Sequence, residues 1–66
     1  MSIGEKIKEL RLEKGLSQSK LADSIGVSQK AIDYWERGVN EPKASFVIAL
    51  VKVFGISFDE FFSEIN

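Results

Sequence analysis

Residues 18–35 read QSKLADSIGVSQKAIDYW, and the fold is decided there. The spacing predicts two short helices joined by a tight turn. Leu21, Ala22 and Ile25 fall at i, i+1 and i+4 on one face of the first helix, and Ile32 and Trp35 share a face of the second. Between them Gly26 can adopt a positive φ at little cost, and Val27 can tuck inward. Ser28 offers a hydroxyl to start the second helix. Helices this short are not stable alone. The rest of the chain therefore has to hold the pair at a fixed angle, with one side of the second helix turned outward.

Working outward, the N-terminal segment is expected to be helical over residues 2–14. Ser2 and Glu5 form a capping box, and Ile3, Ile7 and Leu10 make a core-facing stripe. Lys6, Lys8, Glu9, Glu13 and Lys14 belong to the solvated side, and Gly15 is the stop. Ser17 caps the helix over 17–25, with Leu16 and Leu21 as a hydrophobic staple. The helix over 28–37 has the same staple in Val27 and Ile32 and ends at Gly38. A polar connection with Pro42 leads to a helix over 43–54, stopped by Gly55. A last helix is expected over 57–65, with Ser57 and Glu60 as a capping box and Ile56 and Phe61 as a staple. Nowhere does apolar alternate with polar over a strand's length. The expectation is an all-α, compact five-helix single domain spanning residues 1–66.

The chain has 66 residues with neither cysteine nor histidine. That excludes a disulfide framework, a Cys/His zinc site and a Cys or His nucleophile. No clustered carboxylates suggest a metal, and no cofactor is expected. An enzyme reading fails for want of catalytic groups and of volume for a substrate pocket. The longest apolar run, Phe46–Val51, falls far short of the ~20 residues that span a bilayer. The opening MSIGEKIKEL lacks a signal-peptide apolar region, so the expected compartment is the cytoplasm. The net charge of −1 argues by itself against a nucleic-acid partner. Its distribution softens the objection: residues 1–58 hold nine basic against seven acidic residues, a net of +2.

Leu21-Ala22, Gly26, Ile32 and Trp35, at this spacing, resemble the Cro/repressor-type (lambda-repressor-like, XRE-type) helix-turn-helix family of phage and bacterial regulators. The similarity extends to Gln18 at the start of its helix, to Trp35-Glu36-Arg37-Gly38, and to GISFDEFF over 55–62. It covers the whole chain. It implies a sequence-specific double-stranded DNA-binding regulator, a repressor acting as a homodimer on a palindromic operator, with half-sites roughly 34 Å apart.

Once Ile32 and Trp35 face inward, Gln29, Lys30, Asp33 and Tyr34 are what the second helix of the pair shows to solvent. As base contacts, Gln29 suits adenine edges, Lys30 guanine O6/N7, Asp33 cytosine N4, and Tyr34 a thymine methyl or a phosphate. The plain alternative is a polar helix face carrying a Lys30–Asp33 pair at i, i+3. The resemblance implies phosphate contacts from Gln18, Ser28, Arg37, Asn40 and Lys43; Arg37 can instead complement its own helix end. It also implies that Arg11 and Glu36 pair to lock two helices together. Trp35 reads as core. Phe46 and Ile48 exceed what one helical face needs, and with Phe58 and Phe62 they make a candidate dimer face, unless neighbouring helices cover them. That surplus, the pI of about 5.3 and Asp33 also suit a protein-interaction module of the same fold, such as an antitoxin or anti-repressor-like partner.

Overall fold

The computed structural model describes all 66 residues as five helices: α1 (Ile3–Glu13), α2 (Gln18–Ile25), α3 (Gln29–Arg37), α4 (Ala44–Phe54) and α5 (Phe58–Phe62). Four of the five starts are capped locally, α4 being the exception, since Lys43 before it makes no side-chain cap. Ser2, Ser17, Ser28 and Ser57 stand in extended backbone, and their hydroxyls accept from the amides of Glu5, Lys20, Ala31 and Glu60. Glu5 and Glu60 return a carboxylate to the capping residue, closing both expected boxes. Each such cap is worth about 1 kcal/mol. Gly26 sits at φ 75°, in the left-handed region, which lets the chain turn between α2 and α3 within the three residues Gly26, Val27 and Ser28. The Val27 amide then donates back to Ala22 at 3.0 Å.

Eleven apolar side chains form the core: Ile7, Leu10, Leu21, Ala22, Ile32, Trp35, Val47, Leu50, Val51, Phe54 and Phe61. Leu16, Val27 and Ile56, the outer members of the three staples, pack half-buried against this cluster. The helix starts are thereby tied to the core as well as capped. Helix α3 lies against both α1 and α2, and α4 closes over α2.

The seam between α1 and α3 depends on a residue that periodicity passes over. Gly4, in the first turn of α1, is buried against the carboxyl end of α3, where an added Cβ would collide with the carbonyl oxygen of Trp35. Its lack of a side chain lets the two backbones meet.

Two sequence expectations are corrected. Helix α5 ends at Phe62 rather than continuing to Ile65. The tail turns back on itself, with the Ile65 amide donating to the Phe62 carbonyl at 3.1 Å. The chain ends then meet: the Met1 ammonium donates to the Glu64 carbonyl at 2.9 Å and the Asn66 amide to the Met1 carbonyl at 3.4 Å. Lys6, assigned to solvent, is buried. Its ammonium donates to Glu64 Oε1 at 2.8 Å and lies 3.6 Å from Glu9 Oε1, while its alkyl stem is covered. The hydrogen bond from Lys6 holds the Glu64 carboxyl below the ordinary carboxylate range, and the same bond raises Lys6.

Alanine is normally the better helix former, yet Gly4→Ala should lower stability by about 2–3 kcal/mol through overpacking. Thermal denaturation followed by circular dichroism should show Tm falling by about 10–20 °C. A carboxyl whose pKa is depressed by folding contributes stability above its unfolded pKa and loses it as pH falls through the folded one. Glu64→Gln should therefore reduce Tm near neutral pH and flatten the acid limb, so that the two melting temperatures converge as the pH falls below the ordinary carboxylate range.

Candidate nucleic-acid interface

Because Ile32 and Trp35 are drawn into the core, the opposite side of α3 is left for solvent. Gln29 and Lys30 are exposed there, and Asp33 and Tyr34 are half-buried beside them. Gly38 ends α3 in the left-handed conformation and sends Val39, Asn40 and Glu41 into an exposed loop, followed by exposed Lys43 at the start of α4. The expected base-contacting residues thus lie along one helix, with Ser28 and Arg37 at its two ends and Asn40 and Lys43 beyond it. Ser28 accepts from the Ala31 amide at 3.1 Å, which leaves its own hydroxyl proton to donate.

The acid on this face is not isolated. Asp33 accepts from Arg37 Nε at 3.0 Å, at i, i+4, and from Gln18 Nε2 at 3.4 Å. The Lys30–Asp33 pair weighed from the sequence does not form. Lys30 and Arg37 instead each stand over the Tyr34 ring, both 5.4 Å from its centroid. Gln18 also donates to Glu36 Oε1 at 3.2 Å, so both of its amide protons are engaged and its remaining polar atom is an acceptor. The first-turn amides of Gln18 and Ser19 lie outside the Ser17 cap, which takes Lys20.

Beneath this face lies a buried ion pair. Arg11 Nε donates to Glu36 Oε2 at 2.7 Å and Nη2 to Glu36 Oε1 at 3.1 Å; Nη1 donates to the Leu16 carbonyl at 2.8 Å. The side chains are only 10% and 4% exposed, so the pair is screened little by water. The hydrogen bond to Glu36 raises Arg11 above its ordinary value. From Arg11 through Glu36, Gln18 and Asp33 to Arg37, one polar chain links α1, α2 and α3.

The apolar candidates divide. Phe46 is half-buried, its ring 5.7 Å from that of Trp35, which takes it out of the expected outer face. Ile48, Phe58 and Phe62 remain between 42% and 48% exposed. Sequence reasoning passed over Leu12 and Val39, which are exposed as well. Leu12 was detectable because it falls off the stripe of Ile3, Ile7 and Leu10. No three carboxylates converge in a way that could hold a metal ion, and no helix is long and apolar enough to cross a membrane.

Two helices joined through a left-handed glycine, the second offering an unshared polar side, define a helix-turn-helix unit. A family model described as Helix-turn-helix matches residues 7–61, and the chain belongs to that family. It is 39% identical over 61 residues to the HTH-type transcriptional regulator PuuR of Escherichia coli (strain K12), across 92% of this chain and 33% of PuuR. It is 36% identical over 63 residues to the HTH-type transcriptional activator BcrR of Enterococcus faecalis, across 96% of this chain and 31% of BcrR. The chain thus spans about a third of the length of these relatives. Among solved structures, the P22 c2 repressor bound to a synthetic operator superposes with a TM-score of 0.85 at 34% identity, over 92% of each chain.

Removing one partner of the buried pair strands the other. Arg11→Met should cost about 3–5 kcal/mol, whereas Arg11→Met combined with Glu36→Leu should recover most of that loss. Urea denaturation of the two variants beside the parent chain checks this.

Proposed function

We propose that residues 1–66 form a sequence-specific double-stranded DNA-binding module of a cytoplasmic transcriptional regulator, with α3 entering the major groove. The observation that carries this reading is the outer side of α3. It bears Gln29 and Lys30 exposed on a helix whose other side is locked into the core, in a chain that superposes on an operator-bound repressor. Gln29 and Lys30 read base edges, with Asp33 and Tyr34 beside them. Ser28, Arg37, Asn40 and Lys43 hold the phosphates. Gln18 reaches a phosphate through its main-chain amide at the positive end of α2, since its side-chain amide is occupied by Asp33 and Glu36.

The regulator acts as a repressor. Occupying a promoter is enough to block it, whereas activation needs a further contact with the transcription machinery. The exposed Ile48, Phe58 and Phe62 serve as a homodimer face, and two copies read a palindrome with half-sites roughly 34 Å apart. The same apolar residues, with exposed Leu12 and Val39, also support the second reading, an antitoxin-like module that binds another protein.

Selection of bound duplexes from a random pool, at two salt concentrations, tests the proposal. An enriched palindrome is expected. Gln29→Ala with Lys30→Ala should abolish the preference while leaving non-specific binding. Lys43→Ala should weaken all sequences alike and reduce the salt slope by about 1. A pool that emerges unenriched would sink the DNA reading and leave the protein-binding one.

A further inference from the structure

The DNA reading leaves open how a lysine on a flexible stem is aimed. Lys30 has no carboxylate partner: the ion pairs of the chain are Lys6 with Glu9 and Glu64, Arg11 with Glu36, and Arg37 with Asp33. What it does meet is the Tyr34 ring, one helical turn on, at 5.4 Å. Arg37, three residues beyond Tyr34, meets the same ring at 5.4 Å from the other direction along the helix. Half-buried Tyr34 is thus flanked by two exposed cations. Asp33 engages Arg37 only through Nε, so both terminal nitrogens of the guanidinium stay free to donate. The Lys30 ammonium likewise keeps donors to spare while resting on the ring.

We propose that Tyr34 is a positioning residue for DNA recognition: its ring gathers Lys30 and Arg37 along the outer ridge of α3, aiming the first at base edges and the second at the backbone. This rests on the DNA-binding reading and reassigns Tyr34 within it, from a group that touches a base to one that acts through two cations. Attraction between a cation and an aromatic face strengthens as water is excluded, so seating the helix in a groove reinforces the arrangement. The aromatic ring is the active part, and the hydroxyl is dispensable.

The conservative variant separates the two roles. Tyr34→Phe should hold affinity for the enriched duplex within about twofold, whereas Tyr34→Leu should lose about tenfold. The base preference at the position read by Lys30 should survive in the Phe variant and relax in the Leu variant. Equal losses in both variants would assign the contact to the hydroxyl and overturn the proposal; no loss in Tyr34→Leu would overturn it too. A measurement without DNA keeps the test open if Tyr34→Leu folds poorly. In the parent chain and in Tyr34→Phe, the side-chain methylene protons of Lys30 and Arg37 should show upfield ring-current shifts in NMR spectra. Unshifted resonances would overturn the proposal whether or not any duplex is bound. Shifted resonances in a chain that enriches no duplex would instead bring down the DNA reading.

Discussion

A carboxylate taken out of water has to find its hydrogen bonds inside the protein, and Glu36 finds them on two other helices. Arg11 reaches it with two nitrogens from α1, and Gln18 reaches it from the start of α2. Arg11 also binds the carbonyl of Leu16, the residue before the α2 cap. One buried charge therefore fixes the spacing of α1, the entry to α2 and the far half of α3. Hydrophobic packing alone would not be so exacting, because apolar surfaces slide at small cost whereas a forked hydrogen-bond pair has one good geometry. A buried pair is a weak source of net stability. Its value here is in orientation, and the orientation it sets is that of the helix that presents Gln29 and Lys30.

Above that pair, the polar side of α3 is organised by sharing. Asp33 looked like an obstacle to a polyanionic partner. With Arg37 and Gln18 on its oxygens, its field is largely answered within its own surroundings, and the exposed ridge is left to cations and amides. The overall charge of −1 is therefore a poor guide to the field at this face.

Most of the fold was legible in the sequence because its determinants are local. A serine three residues before a glutamate, a staple around three of the four serine caps and a glycine after each of the first four helices all act within one or two turns, and most helix starts follow them. What was not legible depended on contacts far along the chain. Nothing near Gly4 announces that a carbonyl from residue 35 will press on it. Lys6 reads as a surface lysine until Glu64, 58 residues away, is brought beside it. The same folding back ends α5 early, since Glu64 and Ile65 are ordinary helical residues in isolation. At the candidate site the outward residues were identifiable by elimination once Ile32 and Trp35 were placed inside. Their partners were not, because Asp33 has cations at both i−3 and i+4, and the choice between them turns on where Tyr34 and Gln18 lie.

The meeting of the two chain ends has an architectural meaning. Asn66 and Met1 share a hydrogen bond, so the path of the polypeptide closes almost into a ring. With residues 1 and 66 side by side, these five helices can be spliced into a surface loop of an unrelated host without stretching either junction. For the same reason, reconnecting the existing ends through a short linker and opening the chain elsewhere, in the exposed loop at Asn40 for example, would preserve every helix.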